Sequence, residues 1–174
     1  MAGAAPGREA LAMSAHGAGR RSAAEQRKVE AAIRELFERR ITFNQTLGLH
    51  VESVDPAAPR IRFDMRPALV GHYLYGRLHG GVISATLDAT GAFALMLALA
   101  EKHADEGTEQ FMHRFARMGT IDLRVDFLRP GIGRCFYASA HVTRLGGRVG
   151  STQMRLDNDA GVLIATGAAA YVIS

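Results

Sequence analysis

Two hydrophobic rhythms run along this chain. From about Ala23 to Phe43, AAEQRKVEAAIRELFERRITF sets Val29, Ile33, Leu36, Phe37 and Ile41 at helical spacing among charged residues, which predicts an amphipathic helix. LGLHVESV (47–54) and RIRFDM (60–65) predict strands joined by a turn at Pro56 and Pro59, the second alternating Ile61, Phe63 and Met65 with Arg62, Asp64 and Arg66. Residues 66–78 carry Pro67, Gly71 and Gly76 and predict a loop. The next run, LHGGVISATLDATGAFALMLALA (78–100), is apolar nearly all round and predicts a buried helix. Residues 101–118 are polar and predict a loop with room for a short second helix.

Past Gly119 the period becomes two. GTIDLRVDFLRP sets Ile121, Leu123, Val125 and Phe127 on one face and Thr120, Asp122, Arg124 and Asp126 on the other. Three further strands are predicted over 134–145, 148–157 and 162–173, separated by short turns that favour antiparallel hairpins. The order is helix, two strands, long helix, four strands. It predicts an α+β fold in which one antiparallel sheet wraps a central helix, with no repeat and no second domain.

In the long apolar run the only ionisable residues are His79 and Asp88. About 20 such residues could span a bilayer, but an aspartate at the centre would cost about 2.5–3.5 kcal/mol to insert. A core helix is the better reading, so no membrane span is expected. Desolvation of a carboxylate in such a helix disfavours its charged form and improves it as a base. The plainer alternative is a carboxylate that hydrogen-bonds to a neighbouring strand.

The net charge of +4 is concentrated at the N-terminus, where residues 1–28 hold five cations against two acids. The remainder is nearly neutral, which argues against a nucleic-acid partner. Residues 1–22, rich in Ala and Gly, are read as a disordered leader ahead of a domain over 23–174. The single Cys135 excludes an intrachain disulfide and fits a reducing, cytoplasmic setting. The histidines show no ligand spacing, so no metal site is expected. Gly146, Gly147 and Gly150 are read as a hairpin turn rather than a phosphate loop.

The segment LHGGVISATLDATG, with an Asp nine residues after the His, resembles the hotdog-fold thioesterases, specifically the PaaI-like branch. Together with FNQTLGL (43–49) and RMGTIDLRVDFLRPG (117–131) it resembles the YigI-like medium- and long-chain acyl-CoA thioesterases, over about residues 24–174. The resemblance implies a hotdog fold, hydrolysis of acyl-CoA without a cofactor beyond the coenzyme A of the substrate, and sites built at the interface of a homodimer, itself part of a dimer of dimers. Asp88 would act as general base or as nucleophile. The backbone N–H groups of Gly80 and Gly81, free at a helix N-terminus and at the positive end of its dipole, would form the oxyanion hole.

Gly81 and Asp88 are seven residues apart, about 10 Å along a helix, which is long for two groups acting on one carbonyl. A two-fold dimer would bring the helix start of one chain beside Asp88 of the other. Thr120 stands where PaaI-like enzymes often carry a hydroxyl that orients water; the alternative is an ordinary strand threonine. Tyr73 occupies the position, six before the His, where many relatives have a thioester-binding asparagine. His79 is expected to shape the turn, with direct catalysis as the alternative. Val82, Ala85, Leu87 and Phe93 are candidates for the acyl tunnel, and Arg129, Arg144 and Arg148 for coenzyme A phosphates.

The competing function is a non-catalytic acyl-CoA-binding sensor on the same fold. Binding alone needs no buried carboxylate, which counts against it, while Tyr73 in place of asparagine counts for it. A hotdog dehydratase fits the His to Asp spacing poorly.

Overall fold

The computed structural model describes residues 20–174. Within them the chain forms α1 (Ala23–Glu35), a π-helical turn (Leu36–Arg40), α2 (Thr42–Leu47), β1 (His50–Ser53), β2 (Arg60–Asp64), a short 3₁₀ turn (Pro67–Leu69), β3 (Val70–His72) and β4 (Arg77–Leu78). There follow α3 (Gly80–Lys102), α4 (Thr108–Phe115), β5 (Gly119–Phe127), β6 (Cys135–Leu145), β7 (Val149–Asn158) and β8 (Leu163–Val172). Residues 1–19, most of the expected leader, lie outside the described residues. Arg21 and Ser22, placed in that leader by composition, belong to the folded part. Ser22 Oγ accepts the Glu25 N–H at 3.2 Å and caps α1, while the Arg21 guanidinium donates to the carbonyls of Ala100 and Glu106.

The single helix expected over 23–43 is broken, and the helical structure runs on to Leu47. Asn44, 4% exposed, donates from Nδ2 to the Phe37 carbonyl at 3.0 Å, which supplies that carbonyl with a donor where the regular ladder is interrupted. α2 then stops at Gly48, whose φ of 72° is the left-handed C-cap that glycine adopts without a Cβ clash. The first strand therefore starts at His50 rather than at Leu47. The expected loop over 66–78 contains the β3–β4 hairpin, and the second helix anticipated in 101–118 is α4.

Six strands form one antiparallel sheet in the order β1-β2-β6-β7-β8-β5. The sheet curls around α3, and the inward positions are kept small where the helix comes nearest. Ala138, Ala140, Ala165 and Ala169 are buried there, and a Cβ on Gly150 would stand 2.6 Å from Leu95 Cδ2. Against these short side chains α3 inserts Leu87 and Leu95, while Phe93 on its other side packs against Phe37 with ring centroids 5.0 Å apart; Leu87, Phe93, Leu95 and Leu97 are all at 2% exposure or less. Each such side chain removed from water stabilises the fold by about 1.5–3 kcal/mol. α3 is long and apolar enough to cross a membrane, but most of it is buried between the sheet and the N-terminal helical segment. This is the hotdog arrangement.

The two sheet edges differ. At β1 the backbone of Val51 is occupied by side chains: its N–H donates to Glu38 Oε1 at 2.6 Å, and its carbonyl accepts from Arg34. Among the described residues no strand pairs with the outer side of β5, whose nine residues present an open edge, with Ile121 and Phe127 more than half exposed. An edge that long and unprotected is a template for pairing with another strand.

Candidate active site

Two groups define the candidate site, one at the N-terminus of α3 and one two turns further along it. The entry to α3 is fixed from both sides. Leu78 N–H donates to the Gly131 carbonyl and His79 N–H to the Leu69 carbonyl, both at 2.9 Å. The loops approach this closely because they carry glycine. A Cβ on Gly71 would stand 2.5 Å from His79 Cα, and one on Gly131 would stand 2.8 Å from Leu78 Cβ.

His79 is the N-cap of α3, and its Nδ1 accepts the Gly81 N–H at 2.8 Å. This changes the expected oxyanion hole. Gly81 is engaged by the cap, which leaves the Gly80 N–H as the donor without an acceptor among the described residues. Accepting at Nδ1 also sets His79 in the tautomer protonated at Nε2. Gly80 lies against the ring of Phe127, at the far end of β5.

Asp88 is half-buried rather than enclosed. Its carboxylate accepts a hydrogen bond from Thr120 Oγ1 at 2.9 Å. Plain alternation along β5 puts Thr120 on the face opposite Leu123 and Val125, and the structure corrects this. The ladder with β8 slips between Thr120 and Asp122, so that Thr120 pairs with Tyr171 and Leu123 with Ala169, both inward-facing residues. The bulge at Ile121 thus turns Thr120 toward α3 and leaves Ile121 exposed, a local re-aiming that bulges next to functional sites commonly perform.

The remaining candidates are dispersed. Tyr73 is 87% exposed on the β3–β4 hairpin, its ring stacked on His72 with centroids 5.7 Å apart. Val82 and Ala85 are half-buried, whereas Leu87 and Phe93 belong to the closed core. Arg129 donates to the Leu163 carbonyl at 3.0 Å. A broad depression of about 1180 Å³ lies on the outer face of the sheet, lined by residues such as Arg60, Tyr137, His141 and Arg155, away from α3. Its charges are largely matched already, Arg155 by Asp157 and Arg60 by the Tyr137 ring. Among the described residues no three His, Cys, Asp or Glu side chains converge as metal ligands would.

Sequence reasoning missed Tyr171 and Gly91. The Tyr171 hydroxyl donates to the main-chain carbonyl of Asp88 at 2.9 Å, beside Gly91 in the middle of α3. A glycine in a helix interior costs about 1 kcal/mol relative to alanine, and a lone tyrosine in the alanine-rich stretch ATGAAAYV is equally out of pattern. Those two anomalies were the available signal.

On this hotdog scaffold a helix opening on His-Gly-Gly carries an acid two turns on, met by a hydroxyl from a neighbouring strand. The chain belongs to the thioesterase superfamily, whose family model matches residues 75–165. It is 35% identical to medium/long-chain acyl-CoA thioesterase YigI of Salmonella typhimurium over 139 residues, 80% of this chain and 90% of that one. The YigI protein of Escherichia coli K12 is 34% identical over the same shares. A crystal structure from Shewanella oneidensis, described as related to the thioesterase superfamily, superposes with a TM-score of 0.81 at 34% identity, covering 86% of this chain and 97% of that one.

Proposed function

We propose that this protein hydrolyses medium- to long-chain fatty acyl-CoA to free acid and coenzyme A, with Asp88 as the base and each site shared between two protomers. The observation that carries this reading is the Asp88–Thr120 hydrogen bond at the open edge of the sheet, some two turns from the unpaired Gly80 N–H. The similarity to the YigI proteins supports the substrate class.

In the proposed reaction Thr120 and Asp88 hold a water, Asp88 takes its proton, and the oxygen attacks the thioester carbon. The carbonyl oxygen gathers negative charge and is met by the Gly80 N–H at the positive end of α3. Collapse breaks the carbon–sulfur bond, and the proton held by Asp88 passes to the departing thiolate. These steps call on no cofactor. A nucleophilic variant, in which Asp88 attacks and forms an anhydride, differs in one readout: single turnover in oxygen-18 water then labels the Asp88 carboxylate.

A shared site follows from direction. α3 and β5 run so that Gly80 lies by Phe127 at the end of the strand and Asp88 by Thr120 at its start. A two-fold axis through the middle of the open β5 edge sets the Gly80 end of one chain beside the Asp88 end of the other. The sealed β1 edge and the exposed Ile121 and Phe127 favour β5 as the pairing edge.

The test is thiol release from acyl-CoAs of increasing chain length, comparing wild type with Asp88→Ala and Asp88→Asn. We expect activity that falls by about 10²–10⁴ in both variants, the usual contribution of a positioned acid or base. Wild type that binds acyl-CoA without releasing thiol would establish the sensor function instead. Full activity in both variants would remove Asp88 from the mechanism.

A further inference from the structure

Asp88 is held at two points, and only one of them touches its carboxylate. Thr120 grips the side chain from β5, while Tyr171 grips the main-chain carbonyl from β8, at 2.9 Å in each case. Thr120 and Tyr171 are directly paired across the β5–β8 ladder, and both point toward α3. One rung of the sheet therefore fixes both the backbone and the side chain of a single helical residue.

The second grip is built deliberately into the helix. A Cβ on Gly91 would overlap the Tyr171 hydroxyl and stand 2.7 Å from Thr152 Oγ1, so only glycine lets the phenol reach the helix backbone. Tyr171 is 1% exposed. Its burial, and then the nearby Asp88 carboxylate, push the phenol far above its ordinary value, so the hydroxyl stays protonated and acts as the donor.

We infer that Tyr171 is a positioning residue for the Asp88 carboxylate: by binding the Asp88 carbonyl through the gap at Gly91, it sets the rotation and height of α3 at the reacting group. This rests on the reading of Asp88 as the base. A helix carbonyl has a second lone pair available while the first serves the helix ladder, so the contact adds an anchor without breaking the helix. Catalytic groups lose rate steeply with misplacement, by as much as about 100-fold for 1 Å.

The experiment is a double-mutant cycle on thiol release from one long-chain acyl-CoA, using the full chain in its native assembly. Tyr171→Phe keeps the ring and removes only the hydroxyl. We expect kcat to fall about tenfold with KM within about twofold, as when an interaction is lost at the transition state and not in binding. In the Asp88→Asn background the same substitution should change the residual rate less than twofold. Gly91→Ala, which keeps the tyrosine but fills the gap, should reproduce the kcat loss in whatever fraction folds, judged by circular dichroism and active-site titration. Wild-type kcat in Tyr171→Phe overturns the inference, and so does an equal loss in the Asp88→Asn background, which would mean a general structural role. If Asp88→Asn is itself as active as wild type, the proposed function fails, whatever Tyr171→Phe does.

Discussion

Thr120 Oγ1 and the Asp88 carboxylate meet at 2.9 Å although 32 residues separate them, and they meet because β5 is bulged at Ile121. Without the extra residue Thr120 would point away from α3. The hydroxyl is a charge-assisted donor to the carboxylate and leaves its own lone pairs free for water. Thr120→Ala should lower kcat by about 10- to 100-fold, the range for a hydrogen bond to a charged group. Thr120→Ser, which retains the hydroxyl, should stay within a few-fold of wild type. Steady-state thiol release distinguishes them, and equal loss in both variants would mean that the methyl group, not the hydroxyl, matters.

The proposed oxyanion donor can be removed without disturbing the helix. Gly80 is the first residue of α3, where proline is well accommodated and its missing N–H breaks no helical bond. His79 already has φ −65° and ψ 137°, the extended conformation required before proline. Gly80→Pro should fold with an unchanged Tm and lose about 10²–10³ in kcat, as oxyanion-donor removals do. Gly80→Ala keeps the N–H, and its Cβ meets the Phe127 ring at an ordinary 3.5 Å, so it should remain active. An active Gly80→Pro would place the donor elsewhere, with Gly81 released from His79 as the next candidate.

Much of this architecture was legible in the chain because the core is periodic. The apolar run over 78–100 and the alternation past residue 134 gave α3 and the last three strands to within two residues. What periodicity cannot see is where it is interrupted. The Ile121 bulge reverses the face of Thr120, and the Asn44 side chain takes the place of a ladder bond where the first helix breaks. Both depend on partners far away in sequence. The His79 cap is different: the interaction spans two residues, yet His at that position reads equally well as turn, cap or catalyst until the Nδ1 acceptor is placed. The apolar run overstates the burial of Asp88 for a related reason, since it does not reveal that one flank of the helix faces an open sheet edge.

A site divided between protomers predicts complementation. Asp88→Asn and Gly80→Pro homodimers should each be nearly inactive, but a mixed dimer has one site with both defects and one with neither. Random exchange of equal amounts should restore about a quarter of wild-type activity, because half the dimers are mixed and half their sites intact. Ile121→Arg, placing a charge on the exposed apolar edge of β5, should shift the molecular mass in light scattering toward the monomer and abolish activity together. Absence of recovery after verified exchange, or an active monomer, would confine the site to one chain.

Stability should fall on acidification through a cluster remote from Asp88. Glu106, 7% exposed, accepts from Arg114 Nε at 2.8 Å and from the second guanidinium nitrogen, with His103 Nδ1 at 3.5 Å. The Arg114 hydrogen bonds hold the Glu106 carboxyl below its ordinary 4.5. Burial first, and then the Arg114 charge, hold His103 below its ordinary 6.5, outweighing the pull of Glu106 and Asp105. Both groups therefore bind protons less readily folded than unfolded, so stability rises with pH where they titrate. The His103 contribution is intact above about 6.5 and is lost as the pH falls through that value and below it; the Glu106 contribution goes in the same way below about 4.5. Tm measured from pH 8 to pH 3.5 should decline in two steps. His103→Gln should flatten the upper step, while Glu106→Gln should lower Tm at pH 7 by leaving Arg114 unpaired and should flatten the lower one. A Glu106→Gln curve parallel to wild type below pH 4.5 would show that other carboxylates, and not this cluster, govern acid unfolding.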